Sequence, residues 1–151
     1  MIVLFQGIYG YLSNFFDFCP VHYDGLTYRN SESAYQAAKS VSLVEKVHFL
    51  NVTPGKAKRM GKSVLMRPDW DSVKGDIMVD IVHAKFSQHP ELATLLIATG
   101  DEYLEEGNYW HDNYFGDCKC PKCKGIQGKN VLGYALMGER RRLQDEANRK
   151  N

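Results

Sequence analysis

A run of ten residues predicts a capped helix with two unlike faces: Asn30-Ser31-Glu32-Ser33-Ala34-Tyr35-Gln36-Ala37-Ala38-Lys39. Asn30 is a suitable N-cap, because its side-chain oxygen can accept a hydrogen bond from a backbone N–H of the first turn. Helical spacing predicts one face with Ala34, Ala37, Ala38 and Val41, and an opposite face with Glu32, Tyr35, Gln36 and Lys39. The alanines favour close packing. The polar face either points to water, as on most surface helices, or forms part of a functional site.

Size and composition are typical of a soluble globular protein. The chain has 151 residues, of which 44% are hydrophobic and 25% charged. No apolar run approaches the roughly 20 residues that cross a bilayer. Residues 1–5 resemble a strand rather than a signal peptide, because they lack a basic lead and a cleavage site. We therefore expect a cytoplasmic protein with no membrane contact. The net charge of +1 predicts that any contact with a polyanion comes from a local basic patch.

Turn, cap and periodicity signals predict an α+β fold: a single helix-rich domain over residues 1–151 with a small β-sheet or hairpin. The pair Asp24-Gly25 favours a two-residue turn within a hairpin over residues 23–28. Thr53-Pro54 is typical of a helix start, and Gly61 of the end of that helix. The tail from about residue 144 is expected to be charged and frayed. Strands are predicted over 2–5 and 103–105, and irregular segments over 67–71 and 107–128. Helices are predicted over 43–50, 89–100 and 132–143, with a further long helix after residue 71. The long helix is expected to place Val73, Ile77, Ile81 and Ala84 on its core face, and the helix over 89–100 to turn Leu92, Leu95 and Leu96 inward.

Several motifs, in order along the chain, resemble the NADAR family, also called YbiA-like. They include Leu12-Ser13-Asn14-Phe15, Arg67-Pro68-Asp69-Trp70-Asp71, Gly107-Asn108-Tyr109-Trp110-His111-Asp112 and Gly128-Lys129-Asn130-Val131-Leu132-Gly133, with residues 31–39, 53–61, 84–92, 95–101 and 114–116 between them. The resemblance covers nearly the whole chain. Ser33 stands where the family often has histidine, and Phe115 where tryptophan is common, which indicates a slightly altered pocket wall. The resemblance implies the family's fold and an N-glycosidase acting on riboside or ADP-ribose derivatives.

The resemblance also implies a set of catalytic residues. Cleavage of an N-glycosidic bond passes through a ribosyl cation, which a carboxylate stabilises. The family pattern implies that Glu32 lies in the pocket and faces the cation or acts as a base. Asp112 is the second candidate carboxylate, for ribose hydroxyls or water, and is otherwise an ordinary loop residue. Lys39 and Lys85 lie in family-like motifs, Lys39 two helical turns from Glu32. A lysine with a lowered pKa can capture an opened ribose as a Schiff base; otherwise both are ordinary surface lysines.

The same resemblance indicates that Trp70 contacts the base, and other residues are candidates for contact with the base, the sugar and the phosphates. Trp70 is either a core residue or a wall that stacks on the base. The basic cluster Lys56, Lys58, Arg59 and Lys62 is either solvated or contacts phosphate, with Arg59 able to bind it through two hydrogen bonds. The candidate substrate-binding residues are Asn14, Tyr35, Gln36, Arg59, Trp70, Trp110 and Phe115.

Three of the four cysteines lie in Cys118-Lys119-Cys120-Pro121-Lys122-Cys123, which is unlike a secreted disulfide framework. Zinc binds thiolates in fours, so three cysteines require a fourth ligand, for which Cys19 and His111 are available. The spacing from Cys118 to Cys120 is tighter than in zinc knuckles. Free thiols and a structural zinc site both remain open, and the expected chemistry requires no metal or other cofactor.

Two classes of function compete. The first is an enzyme whose substrate is either an ADP-ribosylated base, such as guanine within nucleic acid, or a riboside phosphate from an early step of riboflavin synthesis. The second is a non-catalytic module that binds ADP-ribose or an NAD-like nucleotide. A binding module would tolerate the loss of Glu32, whereas the enzyme would not.

Overall fold

A computed structural model describes residues 1–150 of the chain, and its α+β architecture confirms the predicted fold class. The helices are α1 (Ser31–Ala37), α2 (Leu43–Val47), α3 (Pro54–Met60), α4 (Trp70–Gln88), α5 (Pro90–Ala98) and α6 (Val131–Lys150), and the strands are β1 (Val21–Tyr23), β2 (Leu26–Tyr28), β3 (Gly107–Asn108) and β4 (Asp117–Cys118). Two 3-10 turns span Gly7–Leu12 and Pro121–Cys123. Within the described residues, none of the helices combines the length and apolarity that a membrane crossing requires.

The chain forms two compact units. The first unit combines Met1–Ser13 with the residues from Pro90 onward, and the second is Asn14–His89. Each unit has its own buried apolar residues, for example Leu104 and Leu136 in the first and Val21 and Ile81 in the second. The predicted extent of a single domain over residues 1–151 stays a prediction.

The hairpin of the second unit confirms the predicted turn. Strands β1 and β2 pair antiparallel, with Val21 opposite Tyr28. Asp24 and Gly25 have φ angles of 50° and 86°, as in the two-residue turns that match the twist of paired strands. Strand β1 packs against α4, so the hairpin is held on the long helix of this unit.

Helix α1 begins as predicted, but its surroundings differ from those of a surface helix. The Asn30 side chain accepts a hydrogen bond from the Ser33 backbone N–H at 2.8 Å. Every residue of α1 is buried, because the helix packs against both α3 and α4. The alternative in which its polar face points to water is therefore wrong. The helix ends at Ala37, so Val41 lies beyond it and is 73% exposed rather than part of an apolar face.

Two predicted positions around the long helices are also wrong. Trp70 is the first residue of α4 and not a loop residue, because its backbone N–H already bonds to the Arg67 carbonyl at 3.2 Å. Leu95 is 47% exposed, whereas Leu92 and Leu96 of the same helix α5 are buried as expected. The helix start at Thr53 and its end at Gly61 are confirmed, since Thr53 caps α3 and Gly61 follows its last residue.

The first unit contains less strand and more helix than predicted. The expected strands over 2–5 and 103–105 reduce to one parallel bridge between Ile2 and Leu104. Short parallel strands β3 and β4 pair inside the segment predicted to be irregular. Helix α6 continues past the predicted end at Leu143, and ion pairs such as Arg142 with Glu146 at 2.8 Å stabilise its last turns. Asn151, the end of the predicted tail, lies outside the described residues.

Candidate functional site

Glu32, the main candidate acid, is buried in α1 with only 7% of its surface exposed. Its backbone N–H bonds to the Asn14 carbonyl at 3.2 Å, which ties the helix start to the preceding loop. One of its carboxylate oxygens, Oε1, accepts a hydrogen bond from Gln36 Nε2 at 2.8 Å, one helical turn later. The carboxylate is therefore held in a defined orientation inside the second unit.

Tyr35 and Lys39 follow this acid on α1 and in the turn after it, and both lie close to Trp70. Lys39 follows α1 in a turn, and its carbonyl accepts from the Arg67 N–H at 2.7 Å, which brings the start of α4 to the end of α1. Lys39 Nζ lies 6.0 Å from the centre of the Trp70 ring, and the Tyr35 and Trp70 ring centres are 5.3 Å apart. Burial lowers the pKa of Lys39, while the charge of Glu32 acts to raise it. We call Glu32, Tyr35, Gln36, Lys39 and Trp70 the acid–indole cluster.

Gln36 contacts Gly61, which the sequence predicted only as the end of a helix. Its side chain is 5% exposed, and Oε1 accepts no hydrogen bond within residues 1–150. That oxygen packs directly on Gly61: a Cβ atom added there would lie 1.9 Å from it. A side chain at position 61 would therefore have to displace the Gln36 amide. A helix-ending glycine gives no sequence signal for this second role.

Asn14 supports Glu32 through its backbone and is itself held by side chains. Its Oδ1 accepts from the Ser31 hydroxyl at 3.0 Å, and its Nδ2 donates to the Met78 sulfur at 3.3 Å. Since an amide can make two hydrogen bonds at each end, these contacts fix its orientation and still leave capacity for a ligand. The predicted contact of Asn14 with the substrate stays a prediction.

Lys85 is the most deeply buried of the candidate catalytic residues. It is 2% exposed, and its Nζ lies 5.5 Å from the Phe16 ring centre and 5.4 Å from that of Phe86. Burial lowers the pKa of Lys85 to about 8, with Cys19 acting in the opposite direction. Lys85 and Met78 are seven residues apart and so share a face of α4, the face that contacts Asn14.

The predicted basic cluster forms an exposed face on and beside α3. Lys56, Lys58, Arg59 and Lys62 are all exposed. The charges of Lys58 and Lys62 act to lower the pKa of Lys39, so this basic face borders the acid–indole cluster. An anionic group bound there would lie next to Lys39.

Asp112, Trp110 and Phe115 belong to a loop of the first unit. Asp112 Oδ1 accepts from the backbone N–H groups of Tyr114 and Phe115 at 3.0 and 2.9 Å, which shapes the turn that carries Phe115. Asn108 holds the same loop by donating to the Asp112 carbonyl at 2.7 Å. Trp110 is 56% exposed, and Phe115 packs edge-to-face on Tyr114 at 4.7 Å. One oxygen of Asp112 thus supports the loop, and its proposed contact with ribose or water stays a prediction.

The cysteine motif gathers in this same loop. The three thiols and the His111 ring offer ligand atoms that all lie within 4.8 Å of one another. Of the two fourth ligands that the sequence left open, His111 joins the group, while Cys19 belongs to the second unit beside Lys85.

A family model described as the NADAR domain matches residues 5–144. The chain belongs to the NADAR family. It is 38% identical to the N-glycosidase YbiA of Escherichia coli K12 over 142 residues, which cover 89% of this chain and 82% of that protein. The solved NMR structure of the E. coli protein YbiA agrees with this fold at a TM-score of 0.80, covering 97% of this chain and 87% of that one.

Other relatives are named either as N-glycosidases or as riboflavin biosynthesis proteins. An N-glycosidase of Nostoc punctiforme, Npun_R5314, is 31% identical, and the match covers 96% of this chain and 94% of the relative. The riboflavin biosynthesis protein VVA0006 of Vibrio vulnificus is 35% identical, and the match covers 92% of this chain but 37% of that longer protein. The names of these relatives support N-glycosidase activity in the family to which this chain belongs.

Proposed function

We propose that this protein is an N-glycosidase that hydrolyses the bond between C1 of a phosphorylated ribose and the nitrogen of a flat heterocycle. The observation that carries the proposal is the acid–indole cluster. It combines a buried carboxylate, an amine with a lowered pKa and a pair of packed aromatic rings in one unit. These are the groups that a ribosyl cation, its leaving group and a planar base require.

In the direct route, the C1–N bond breaks and its electron pair leaves with the heterocycle, which takes up a proton. Positive charge then develops at C1 and the ring oxygen. Glu32 stabilises this charge, accepts a proton from the water that attacks C1 and then releases it to solvent, which balances the proton that the heterocycle took up from solvent. Gln36 keeps the Glu32 carboxylate in place through its 2.8 Å hydrogen bond. The products are the released heterocycle and the phosphorylated ribose.

A ribosylamine that opens to its imine permits a second route through Lys39. The neutral Lys39 amine adds to C1, protons pass from the lysine nitrogen to the departing amine, and that amine leaves with the electron pair of its C–N bond. Water then hydrolyses the lysine Schiff base and restores the amine. Lys39 is favoured over Lys85 because the charge of Glu32 acts on the Lys39 amine, whose Nζ also lies 6.0 Å from the centre of the Trp70 ring.

The basic face of α3 supports a substrate that carries phosphate. Lys58 and Lys62 influence Lys39 electrostatically, and Arg59 lies on the same short helix. A guanidinium can bind phosphate through two parallel hydrogen bonds. We therefore assign phosphate binding to this face, with Arg59 as the directing residue.

Within this class we favour a riboflavin-pathway ribosylamine phosphate as the substrate. The name of the Vibrio vulnificus relative refers to riboflavin biosynthesis, and a second relative so named occurs in Zea mays. ADP-ribosylated guanosine has the same three features, a phosphorylated ribose, an N-glycosidic bond and a flat base. It is the competing substrate in the experiment below.

The deciding experiment incubates the purified protein with each of these two substrates and measures the heterocyclic product, which is the free base from the ribosylamine phosphate and guanosine from ADP-ribosylated guanosine. We expect Glu32→Gln to lower kcat by about 10²–10⁴-fold while substrate still binds, because the variant keeps the shape of the side chain but loses its charge. Glu139→Gln is a matched control, since Glu139 is also 7% exposed but lies in α6. Unchanged turnover in Glu32→Gln would contradict the catalytic role. Binding of ADP-ribose without turnover of either substrate would favour the non-catalytic module.

A further inference from the structure

One loop of the first unit brings together three thiols and an imidazole that the proposed hydrolysis does not use. Cys118 ends strand β4, and Cys120 precedes the 3-10 turn Pro121–Cys123. His111 comes before β4 in the chain. Cys118, Cys120 and Cys123 are thiols and not disulfide partners. Cys118 and Cys123 are buried, Cys120 is half-buried, and His111 is exposed. Cys118 and Cys123 are thus shielded from solvent, whereas solvent reaches the four side chains at His111.

The distances within this group are close to those of a tetrahedral metal site. His111 Nδ1 lies 3.3 Å from Cys120 Sγ and 3.4 Å from Cys123 Sγ. With Zn–S bonds of 2.3 Å and Zn–N bonds of 2.0–2.1 Å, a tetrahedron has S–N edges of about 3.5 Å and S–S edges of about 3.8 Å. Since all four ligand atoms lie within 4.8 Å of one another, small side-chain movements suffice to reach those edges.

The surrounding backbone and Asn113 hold the thiols in this arrangement. Asn113 Nδ2 donates to Cys123 Sγ at 3.4 Å, and its Oδ1 accepts from the Cys118 N–H at 2.8 Å. The Cys120 N–H points to Cys118 Sγ at 3.5 Å. The Cys123 N–H bonds to the Cys120 carbonyl at 3.1 Å, which closes the turn between these two cysteines. N–H groups directed at sulfur are the outer contacts that orient metal-binding ligands.

We propose that His111, Cys118, Cys120 and Cys123 bind one zinc ion. Three thiolates and one imidazole are a ligand set of structural zinc sites, and they fill all four positions, so no site remains for a substrate or a catalytic water. The complex carries a net charge of −1, and the exposed Lys122 and Lys124 on either side of Cys123 favour that charge. The ion joins His111 to β4 and so fixes the loop that carries Trp110 and Asp112.

The test measures metal in the intact protein, purified without chelator, by inductively coupled plasma mass spectrometry. We expect about one equivalent of zinc, released when a mercurial reagent modifies the thiols. Cobalt substitution should give the visible bands of a tetrahedral site with intense thiolate-to-metal charge transfer. Each of His111→Ala and Cys120→Ser should bind zinc at least tenfold more weakly.

Cys19→Ser is the control, because Cys19 is also a buried thiol but lies in the second unit. It should retain the zinc content of the wild type. The proposal is overturned if the folded wild-type protein binds no zinc at saturating metal, or if Cys19→Ser loses zinc as His111→Ala does. Zinc content is independent of glycosidase activity, so this test does not depend on the proposed function.

Discussion

Burial of ionisable side chains determines which reactive groups the second unit offers. Glu32 and Lys85 are 7% and 2% exposed. Removing a charge from water is costly unless partners compensate for it, so a buried lysine releases its proton more easily than an exposed one. The pKa of Lys85 falls to about 8. A substantial fraction of this side chain is therefore a neutral amine at slightly alkaline pH.

The stability of the protein should depend on pH through Lys85. Its pKa is lowered from 10.5 to about 8 in the folded state, so between these values the unfolded chain holds a proton that the folded protein lacks. The free energy of unfolding should therefore rise with pH across this window, by up to about 3 kcal/mol. Urea denaturation at several pH values measures this rise.

Lys85→Met isolates the contribution of this residue, because the other titrating groups remain in the variant. We expect the variant to gain stability relative to the wild type below pH 8, and this difference to shrink as the pH approaches 10.5. A difference that stays constant from pH 7 to 10.5 would show that Lys85 is not the source of the pH dependence.

The Schiff-base route makes a separate prediction for Lys39. Borohydride added during turnover of a ribosylamine phosphate should reduce the intermediate to a stable adduct, detected by mass spectrometry at Lys39. Lys39→Met should abolish the adduct, and Lys85→Met should retain it. If no adduct forms, the covalent route fails and the direct route through Glu32 remains; an adduct on Lys85 would reverse the assignment of the two lysines.

At the scale of elements, the contact between α1 and α3 depends on the absence of a side chain at Gly61. Gly61→Ala should displace the Gln36 amide, which in turn holds Glu32. We expect a loss of about 1–3 kcal/mol in the free energy of unfolding, the usual result of overpacking, and a lower kcat. Denaturation midpoints and steady-state kinetics measure the two effects.

Gly55→Ala is the matched control within the same helix α3. A Cβ atom at Gly55 meets only the end of the Arg59 side chain, at an ordinary distance of 3.6 Å. This variant should keep its activity and gain slightly in stability, since alanine is a better helix former than glycine. Equal behaviour of the two variants would mean that Gly61 does not position Gln36.

Local sequence signals predicted where helices and turns begin, but they did not predict which other elements those helices pack against. The sequence predicted the cap at Asn30, the turn at Asp24-Gly25 and the start of α3 at Thr53-Pro54, because each of these features depends on contacts between residues that are close in sequence. Burial of the polar face of α1 depends on α3 and α4, which helical periodicity does not report. The sequence left the fourth member of the cysteine group open for the same reason: only the folded loop brings His111 to the three thiols.

At the scale of the whole molecule, a net charge of +1 conceals an uneven distribution of charge. Residues 53–62 contain four cations and no acid. Helix α6 instead pairs its charges along its own surface, for example Arg141 with Asp145 and Lys150 with Glu146. The field that a phosphorylated ligand meets near α3 is therefore positive, although the molecule is nearly neutral.

This distribution predicts that salt weakens binding of the substrate more than it affects the chemical step. From 0.1 M to 1 M NaCl the screening length falls from about 10 to about 3 Å, so the basic face attracts a phosphate over a shorter distance. We expect the KM of a phosphorylated riboside to rise several-fold while kcat changes little, because Glu32 and Gln36 are shielded from solvent.

The double variant Lys56→Ala/Arg59→Ala should start from a higher KM and show a flatter salt dependence. Arg141→Ala, which removes a cation of α6, should retain the slope of the wild type; a wild-type slope in the α3 double variant would contradict phosphate binding at this face.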